Sequence, residues 1–198
     1  MTTSPASTVV EVYARSLVFT DQDAADNGQA GAVDPLAVLE LSRQVSEVVQ
    51  SVTGSSELRA TLADKSLGLG IRVGVVDELF KGSDERLLAM LHLMIERFEL
   101  KLLARVESRF IDLLEEHYKI TLFDVTTAIG LDDALRKSIK DKYSAQFGTQ
   151  ILLRETVDPR IKGGIIMQAK GKRIDASLVS QLAQTRHVLA SRTSGGRN

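Results

Sequence analysis

Val157-Asp158-Pro159-Arg160-Ile161-Lys162-Gly163-Gly164-Ile165-Ile166-Met167-Gln168 predicts a turn followed by a strand in the C-terminal part of the chain. Asp158-Pro159 favours a turn, because the proline ring fixes its own φ at about −65° and the aspartate can bond to nearby backbone. The glycine pair marks a bend, and the apolar run from Ile165 predicts a buried strand. Lys170-Gly171-Lys172 then predicts a hairpin turn, and Asp175 stands where the N-cap of a last helix belongs.

The residues before this stretch change their hydrophobic period at about residue 120. Phe123, Val125, Thr127 and Ile129 alternate with other residues, which predicts a strand. Apolar residues then recur at helical spacing from 131 to 147, with Gly148 as the expected end of the helix. Residues 151–157 predict a second strand. The order β, α, β, β, β, α predicts a small mixed sheet covered by helices, followed by a flexible tail over residues 191–198.

The part of the chain before residue 120 has apolar residues at helical spacing almost throughout. Asp34-Pro35 and Ser83-Asp84 predict helix starts, and one long apolar stripe from Leu87 to Leu102 predicts a single helix. Short helices joined by short loops favour an antiparallel bundle of five or six helices. The predicted fold class is therefore α+β with two domains: an all-α bundle over 8–119 and a small mixed α/β domain over 120–190.

Composition limits the classes of function. The chain has 198 residues and no cysteine, which excludes disulfides, thiol nucleophiles and thiolate metal sites. It shows no apolar run of about 18 residues and no secretory signal pattern, so we expect it to stay where it is made. Residues 1–119 hold 19 acidic and 12 basic residues, whereas the remainder holds 7 and 13, so net charges of −7 and +6 sum to the −1 of the chain. This asymmetry favours two domains with different partners, although solvated faces can also drift in composition.

No catalytic, metal-ligating or cofactor-binding pattern is recognisable. The three histidines fall on three different predicted helices without a second ligand at metal-binding spacing: His92, His117 and His187. Gly68, Gly70 and Gly74 lack the preceding strand and the Gly-Lys-Ser/Thr of a phosphate loop. Asp132-Asp133 stands in the first turn of a predicted helix, where negative charge suits the helix dipole. We therefore expect a binding or scaffolding protein without catalytic residues, metal or cofactor.

Both ends of the chain resemble one family. The C-terminal segment is similar to the signature of the delta subunit of F-type ATP synthases, which mitochondria call the oligomycin-sensitivity-conferring protein. The matching positions are Asp158, Ile161, Gly163, Gly164, Ile165, Asp175 and Ser177. Ala176 stands where glycine is usual, and Lys170 replaces the usual turn glycine. Val12-Tyr13-Ala14-Arg15-Ser16-Leu17 resembles the Tyr-Ala-x-x-Leu opening helix of the same family.

The resemblance implies a non-catalytic subunit of the peripheral stalk, or stator, of a proton-translocating ATP synthase. It implies a six-helix bundle in which a groove between the first and fifth helices binds the N-terminal helix of an α subunit. The candidate groove residues are Tyr13, Ala14, Leu17, Val18, Leu87, Leu91 and Met94. The alternative for each of these residues is that it fills the core of the bundle.

The same resemblance implies that the second domain binds the C-terminal region of the membrane-anchored b subunit, so that rotation is coupled to ATP synthesis. It places the protein peripherally at the cytoplasmic face of a bacterial cell membrane, without membrane insertion and without nucleic acid. Two alternatives remain from the residues alone. One is an adaptor of an unrelated complex, and the other is a small enzyme or nucleotide-binding protein that uses Gly68 to Gly74.

Overall fold

A computed structural model describes residues 5–19, 34–161, 164–169 and 172–175 of the chain. The chain divides into two compact units, Met1–Lys119 and Ile120–Asn198. Among the described residues, no helix is both long and apolar enough to cross a lipid bilayer.

The described part of the first unit consists of helices and the turns between them. Its elements are α1 (Pro5–Val18), α2 (Pro35–Gly54), α3 (Ser56–Ala63), α4 (Leu69–Leu79), α5 (Glu85–Glu96), a 3-10 turn (Leu100–Leu102) and α6 (Leu103–Tyr118). Helix α1 packs against α6 and α5, α2 packs against α6, and α4 packs against α5. Leucine, valine and methionine side chains at helical spacing form the core between these helices.

Side-chain caps set the starts of the helices. Asp34 accepts a hydrogen bond from the Leu36 amide at 2.9 Å, and Pro35 occupies the first helical position of α2, as predicted. Asp84 accepts from the Arg86 amide at 2.9 Å and so begins α5, again as predicted. Each cap supplies an acceptor for an amide that has no partner inside its helix.

One predicted helix is two elements in the structure. The apolar stripe from Leu87 to Leu102 was expected to form a single helix, but α5 ends at Glu96. Phe98 has a φ of 56°, in the left-handed region, which lets the Glu99 amide donate to the Met94 carbonyl at 2.8 Å. This closed helix end normally has glycine at the left-handed position. The sequence prediction was wrong here because phenylalanine gives no signal for such a turn.

The second unit contains a four-stranded mixed sheet and one described helix. The elements are β1 (Ile120–Thr127), α7 (Asp133–Phe147), β2 (Gln150–Val157), β3 (Ile165–Ala169) and β4 (Lys172–Asp175), with strand order β2-β1-β3-β4. Strands β1 and β2 are parallel and are joined through α7, whereas β3 pairs antiparallel with β1 and with β4. The predicted helix after Asp175 and the predicted tail over 191–198 lie outside the described residues.

The helix of this unit begins and ends where the residue chemistry predicts. Asp132 accepts from the Leu135 amide at 2.7 Å, and Gly148 ends α7 with a φ of 67°. Phe123 packs against the Tyr143 and Phe147 rings with centroids 4.9 and 5.8 Å away. This aromatic contact covers the β1–β2 pair with α7.

The predicted length of the first strand was wrong at its end. Ile129 was expected inside the strand, but β1 stops at Thr127 and the Ile129 side chain is 79% exposed. Thr127 pairs with Val157 on one side and with Ile165 on the other. Because β2 ends at Val157, just before the Asp158-Pro159 turn, β1 has no partner strand beyond Thr127.

Candidate functional site

The residues predicted to line a partner groove lie inside the helical unit. On α1, Tyr13, Ala14, Leu17 and Val18 are at most 5% exposed. On α5, Leu87, Leu91 and Met94 are at most 1% exposed. These seven side chains pack in the core between helices, which is the alternative that the sequence left open. Their role in partner binding stays a prediction.

Polar contacts connect α1 to the turn that follows α5 and to the first turn of α5. The Tyr13 hydroxyl donates to Glu99 Oε2 at 2.6 Å, and burial together with this carboxylate raises the pKa of Tyr13. The Arg86 guanidinium donates to the Leu17 carbonyl at 3.3 Å, close to the C-terminus of α1. A cation at this position is favourable because the last carbonyls of a helix have no partner within it.

A network of one arginine and two glutamates ties α1 to α6. Arg109 Nε donates to Glu11 Oε2 at 2.5 Å, and Arg109 Nη1 donates to Glu116 Oε1 at 2.8 Å. The hydrogen bonds to Glu116 and Glu11 raise the pKa of Arg109, and the arginine lowers the pKa of Glu116. Helix α1 is therefore held by its apolar face and by ion pairs at its edge.

The sides of α1 and α5 that face away from the core are exposed to solvent. A step of two residues turns a helix by about 200°, so Val12 points away from Ala14, and Leu93 points away from Leu91. Val12 is 61% exposed and Leu93 is 43% exposed. We define the outer α1–α5 face as the four exposed residues Val12, Ser16, Ala89 and Leu93.

Sequence reasoning missed the outer α1–α5 face because it searched for the apolar stripe. Val12 and Leu93 are the exposed large apolar residues of α1 and α5, and both lie off the stripe at spacing three and four. An apolar residue off the stripe of an otherwise amphipathic helix was the signal that could have identified them.

The signature residues of the second unit build the turn between β2 and β3. The Asp158 carboxylate accepts from the Arg160 amide at 3.0 Å, and the Asp158 carbonyl accepts from the Ile161 amide at 3.1 Å. The Asp158 amide donates to the Thr127 carbonyl at 2.8 Å, which fixes the turn to the end of β1. Hydrogen bonds from Arg160 hold the pKa of Asp158 below its usual range.

The remaining signature residues lie just before β3, on β3, on β4 or outside the described residues. Gly164 has a φ of 87°, a conformation that favours glycine, and Ile165 begins β3 opposite Thr127. Asp175, expected as a helix cap, is the last residue of β4 and pairs with Ile166. Gly163 and Ser177 lie outside the described residues. The described signature residues are thus part of the turn and the sheet.

The glycine string of the nucleotide-binding alternative lies in a purely helical setting. Gly68 precedes the first residue of α4, and Gly70 and Gly74 lie within that helix. The element before it is α3, whereas a phosphate loop follows a strand. The structure therefore gives no support to a phosphate loop at this place.

The histidines have ordinary partners. His92 Nε2 lies 2.7 Å from Asp77 Oδ1, and the His117 ring meets the Phe19 ring edge-on with centroids 4.8 Å apart. His187 lies outside the described residues. Within the part of the chain that the structure describes, no three His, Cys, Asp or Glu residues are grouped as metal ligands would be.

Comparison with known proteins gives consistent results. The family model described as ATP synthase delta (OSCP) subunit matches residues 24–189. ATP synthase subunit delta of Prochlorococcus marinus (strain MIT 9301) is 30% identical over 145 residues, which cover 72% of this chain and 81% of that protein. The subunit delta of Rhodopirellula baltica is 26% identical over 189 residues, covering 91% of this chain and 79% of that protein.

A further relative and one solved structure are also similar to this chain. The subunit delta of Chlorobaculum tepidum is 26% identical over 161 residues, covering 81% of this chain and 89% of that protein. A chain in the cryo-EM structure of the Toxoplasma gondii mitochondrial ATP synthase hexamer is similar over 92% of this chain and 97% of its own length, with 16% identity and a TM-score of 0.49. The family model and the 30% identical relative together show that this chain belongs to the ATP synthase delta (OSCP) subunit family, whose members are peripheral-stalk subunits of F-type ATP synthases.

Proposed function

We propose that this chain is the non-catalytic connector of the peripheral stalk and joins two partners through its two units. The helical unit binds the N-terminal helix of an α subunit of the catalytic head, and the second unit binds the C-terminal region of the b subunit. In this proposal residues 8–119 form the family's six-helix bundle and residues 120–190 form the second functional domain. The connector resists the torque of the rotor, so that rotation is coupled to ATP synthesis.

The observation that supports α-subunit binding most strongly is the outer α1–α5 face. Helix α1 packs against α5, and both helices turn an exposed apolar side chain outward, Val12 and Leu93. An amphipathic helix binds such surfaces with its apolar residues, and small neighbours allow its backbone to approach. Ser16 and Ala89 are small and exposed on the same helices.

This proposal separates binding from stability. The seven residues predicted for the groove hold α1 and α5 in place from the inside, and the outer face makes the contact with the partner helix. A substitution of an inner residue then reduces the free energy of unfolding and affects binding only indirectly. A substitution of Val12 or Leu93 affects binding directly and leaves the fold intact.

The test is a calorimetric titration of the full chain with a synthetic peptide of the first about 25 residues of the cognate α subunit, a length that allows a stable bound helix. We expect one peptide per chain, and we expect Val12→Asp to weaken the affinity by about tenfold or more, because it places a charge in an apolar contact. Ile129→Asp is the matched control, since Ile129 is an exposed apolar residue of the other unit.

Wild-type affinity of the Val12→Asp and Leu93→Asp variants would refute the outer α1–α5 face as the binding surface. Absence of binding by the wild-type chain, with its circular dichroism spectrum intact, would refute the proposed α-subunit contact itself.

The charge of the second unit supports the proposed b-subunit contact. Residues 120–198 have a net charge of +6. Lys137, Lys140 and Lys142 are exposed on α7, and none of them lies within salt-bridge distance of a carboxylate in the described parts of the chain. Complementary charge favours an acidic or mixed-charge helix as the partner and speeds association.

The test of this contact is binding of a soluble C-terminal b fragment at increasing ionic strength. We expect affinity to fall with salt, and we expect Lys137→Glu with Lys140→Glu to weaken binding. Lys81→Glu is the control, because Lys81 is an exposed lysine of the helical unit. Binding that is indifferent to salt and to the charge reversal would contradict the electrostatic part of the proposal.

The proposed location follows from these partners. A subunit that joins the catalytic head to a membrane-anchored b subunit lies peripherally at the cytoplasmic face of a bacterial membrane. Cell fractionation tests this: we expect the chain in the membrane fraction when the b subunit is present and in the soluble fraction when b is deleted.

A further inference from the structure

A cavity of about 510 Å³ lies in the helical unit, beside the turn that follows α5. Its walls come from the end of α2, from α3, from the turn over 98–102 and from the start of α6. Six apolar residues form most of the wall: Val52, Leu62, Ala63, Phe98, Leu100 and Ala104. This volume and lining are typical of sites for small organic ligands.

The charged residues at this cavity are all basic. Arg59 and Lys101 line it together with Thr53. Lys65 Nζ and the Arg72 guanidinium carbon lie 5.2 and 4.5 Å from the centroid of the Phe98 ring, which forms part of the wall. No carboxylate is among the lining residues. The cavity thus combines an apolar interior with positive potential.

Arg72 differs from the other cations near this cavity because it is buried. Its side chain is buried, 5% exposed, and it donates to the Ile95 carbonyl at 2.9 Å and the Leu62 carbonyl at 3.4 Å. These carbonyls lie at the C-terminal ends of α5 and α3, where a cation is favourable. The Arg72 Nε has no hydrogen-bond partner among the described residues. A buried donor without a partner costs about 1–3 kcal/mol.

The other cations likewise lack carboxylate partners. Arg59 donates to the Val52 carbonyl at 3.0 Å, at the end of α2, and thereby caps that helix. None of Arg59, Lys65, Arg72 and Lys101 lies within salt-bridge distance of a carboxylate in the described parts of the chain. Arg43 and Arg109 of the same unit, by contrast, each pair with a carboxylate. Hydrogen bonds from Ser66 and, after them, the charge of Arg72 lower the pKa of Asp64, so Arg72 has an acid nearby. Arg59 and Lys101, which line the cavity, are therefore the cations that an incoming anion would meet.

We propose that this cavity binds a small amphiphilic carboxylate, a fatty-acid anion with an acyl chain of about ten carbons. The chain occupies the apolar wall, and the carboxylate lies at the rim near Lys101. Two cations in the cavity wall, with no lining carboxylate, disfavour a cationic ligand and favour an anionic one over its neutral analogue. The site shares no residue with the outer α1–α5 face, so this inference does not depend on the proposed partner contacts.

The test is a fluorescence titration of the full chain with dansyl-labelled undecanoate, followed by displacement with decanoate. We expect one probe per chain and a Kd for decanoate of about 10–100 µM, which is ordinary efficiency for a ligand of this size. Decanol, the neutral analogue, should displace the probe about fivefold less well, and added salt should narrow that difference.

Two variants, each with a control, test whether the ligand binds in this cavity. Ala104→Trp fills the cavity from an exposed helical position and should weaken probe binding by about tenfold or more, whereas Ser108→Trp, one turn further along α6, is the matched control. Lys101→Gln should weaken the affinity for decanoate about threefold and leave the affinity for decanol unchanged. Arg105→Gln is the control, because Arg105 is an exposed cation that does not line the cavity.

Three results would overturn the proposal. The first is that probe binding does not saturate up to about 1 mM. The second is that decanoate and decanol bind with equal affinity, and the third is that wild type and Ala104→Trp bind the probe equally well. Circular dichroism of each variant checks that the helical unit is folded. A variant that is unfolded is replaced by Ala63→Leu, which narrows the same cavity from α3.

Discussion

Replacing Leu17 with alanine tests whether the inner side of α1 belongs to the core. The Leu17 side chain is completely buried, and its helix packs against α5 and α6. Leucine-to-alanine changes at such sites cost about 2.7–5 kcal/mol, from lost transfer free energy and from the cavity that remains. Val12→Ala is the matched change on the outer side, where a surface substitution alters the free energy of unfolding by about 0.5 kcal/mol or less.

The assay is urea unfolding of the full chain, followed by far-ultraviolet circular dichroism. With a urea dependence of about 1–3 kcal/mol per molar, Leu17→Ala should lower the midpoint of the helical transition by about 1–5 M. Val12→Ala should leave it almost unchanged. A loss below about 1 kcal/mol for Leu17→Ala would contradict the placement of Leu17 in the core, because Leu17 would then lie in an open groove, as the family resemblance first implied.

Further predictions concern single positions. Gly74→Ala should stabilise the chain by about 1 kcal/mol in urea unfolding, because Gly74 is inside α4 and nothing lies within 4 Å of an added Cβ. Gly148→Ala should destabilise it by about 1 kcal/mol, because its φ of 67° is left-handed. Arg72→Met should lower the free energy of unfolding in urea by about 2 kcal/mol, since two helix-end carbonyls lose a charged donor. Arg86 side-chain hydrogen bonds lower the pKa of Asp84, so the stability that this pair contributes is present above the unfolded pKa of about 3.9 and is lost as pH falls through the lower folded value. The stability difference between wild type and Asp84→Asn should therefore shrink from about pH 5 to pH 2, and a constant difference over that range would contradict it.

Local side-chain chemistry predicted many of the element boundaries. Asp34, Asp84 and Asp132 were recognisable as caps because a short acceptor side chain before an apolar-periodic run satisfies the free amides of a helix. Gly148 was recognisable as a helix end because glycine adopts the left-handed conformation at little cost. In the second unit, the change of hydrophobic period predicted the first strand and the helix, and the turn residues after Val157 predicted the later strands.

Features that depend on tertiary contacts were not predictable. The turn at Phe98 has no glycine, so nothing local distinguishes it from a continuing helix. Ile129 continues the alternation of β1, but the sheet ends when the partner strand turns at Asp158. Arg72 lies on the buried side of α4, and only the arrangement of the α3 and α5 ends explains how an arginine is accommodated there.

The candidate site was predicted in part. The pair of helices α1 and α5 was identified from the family resemblance, but periodicity marks the residues that are buried and does not show which neighbouring residues are left open. Apolar side chains at helical spacing satisfy both a core and a groove equally well. Only the three-dimensional packing shows that Leu17 is buried in the core and that Val12 is exposed.

Native mass spectrometry of the full chain, mixed with both the α-subunit peptide and the soluble b fragment, tests the connector role most directly. We expect a ternary complex with one copy of each component, and we expect the affinity for each partner to be the same with and without the other partner. Only binary complexes, in which one partner displaces the other, would contradict the claim that this chain joins the two.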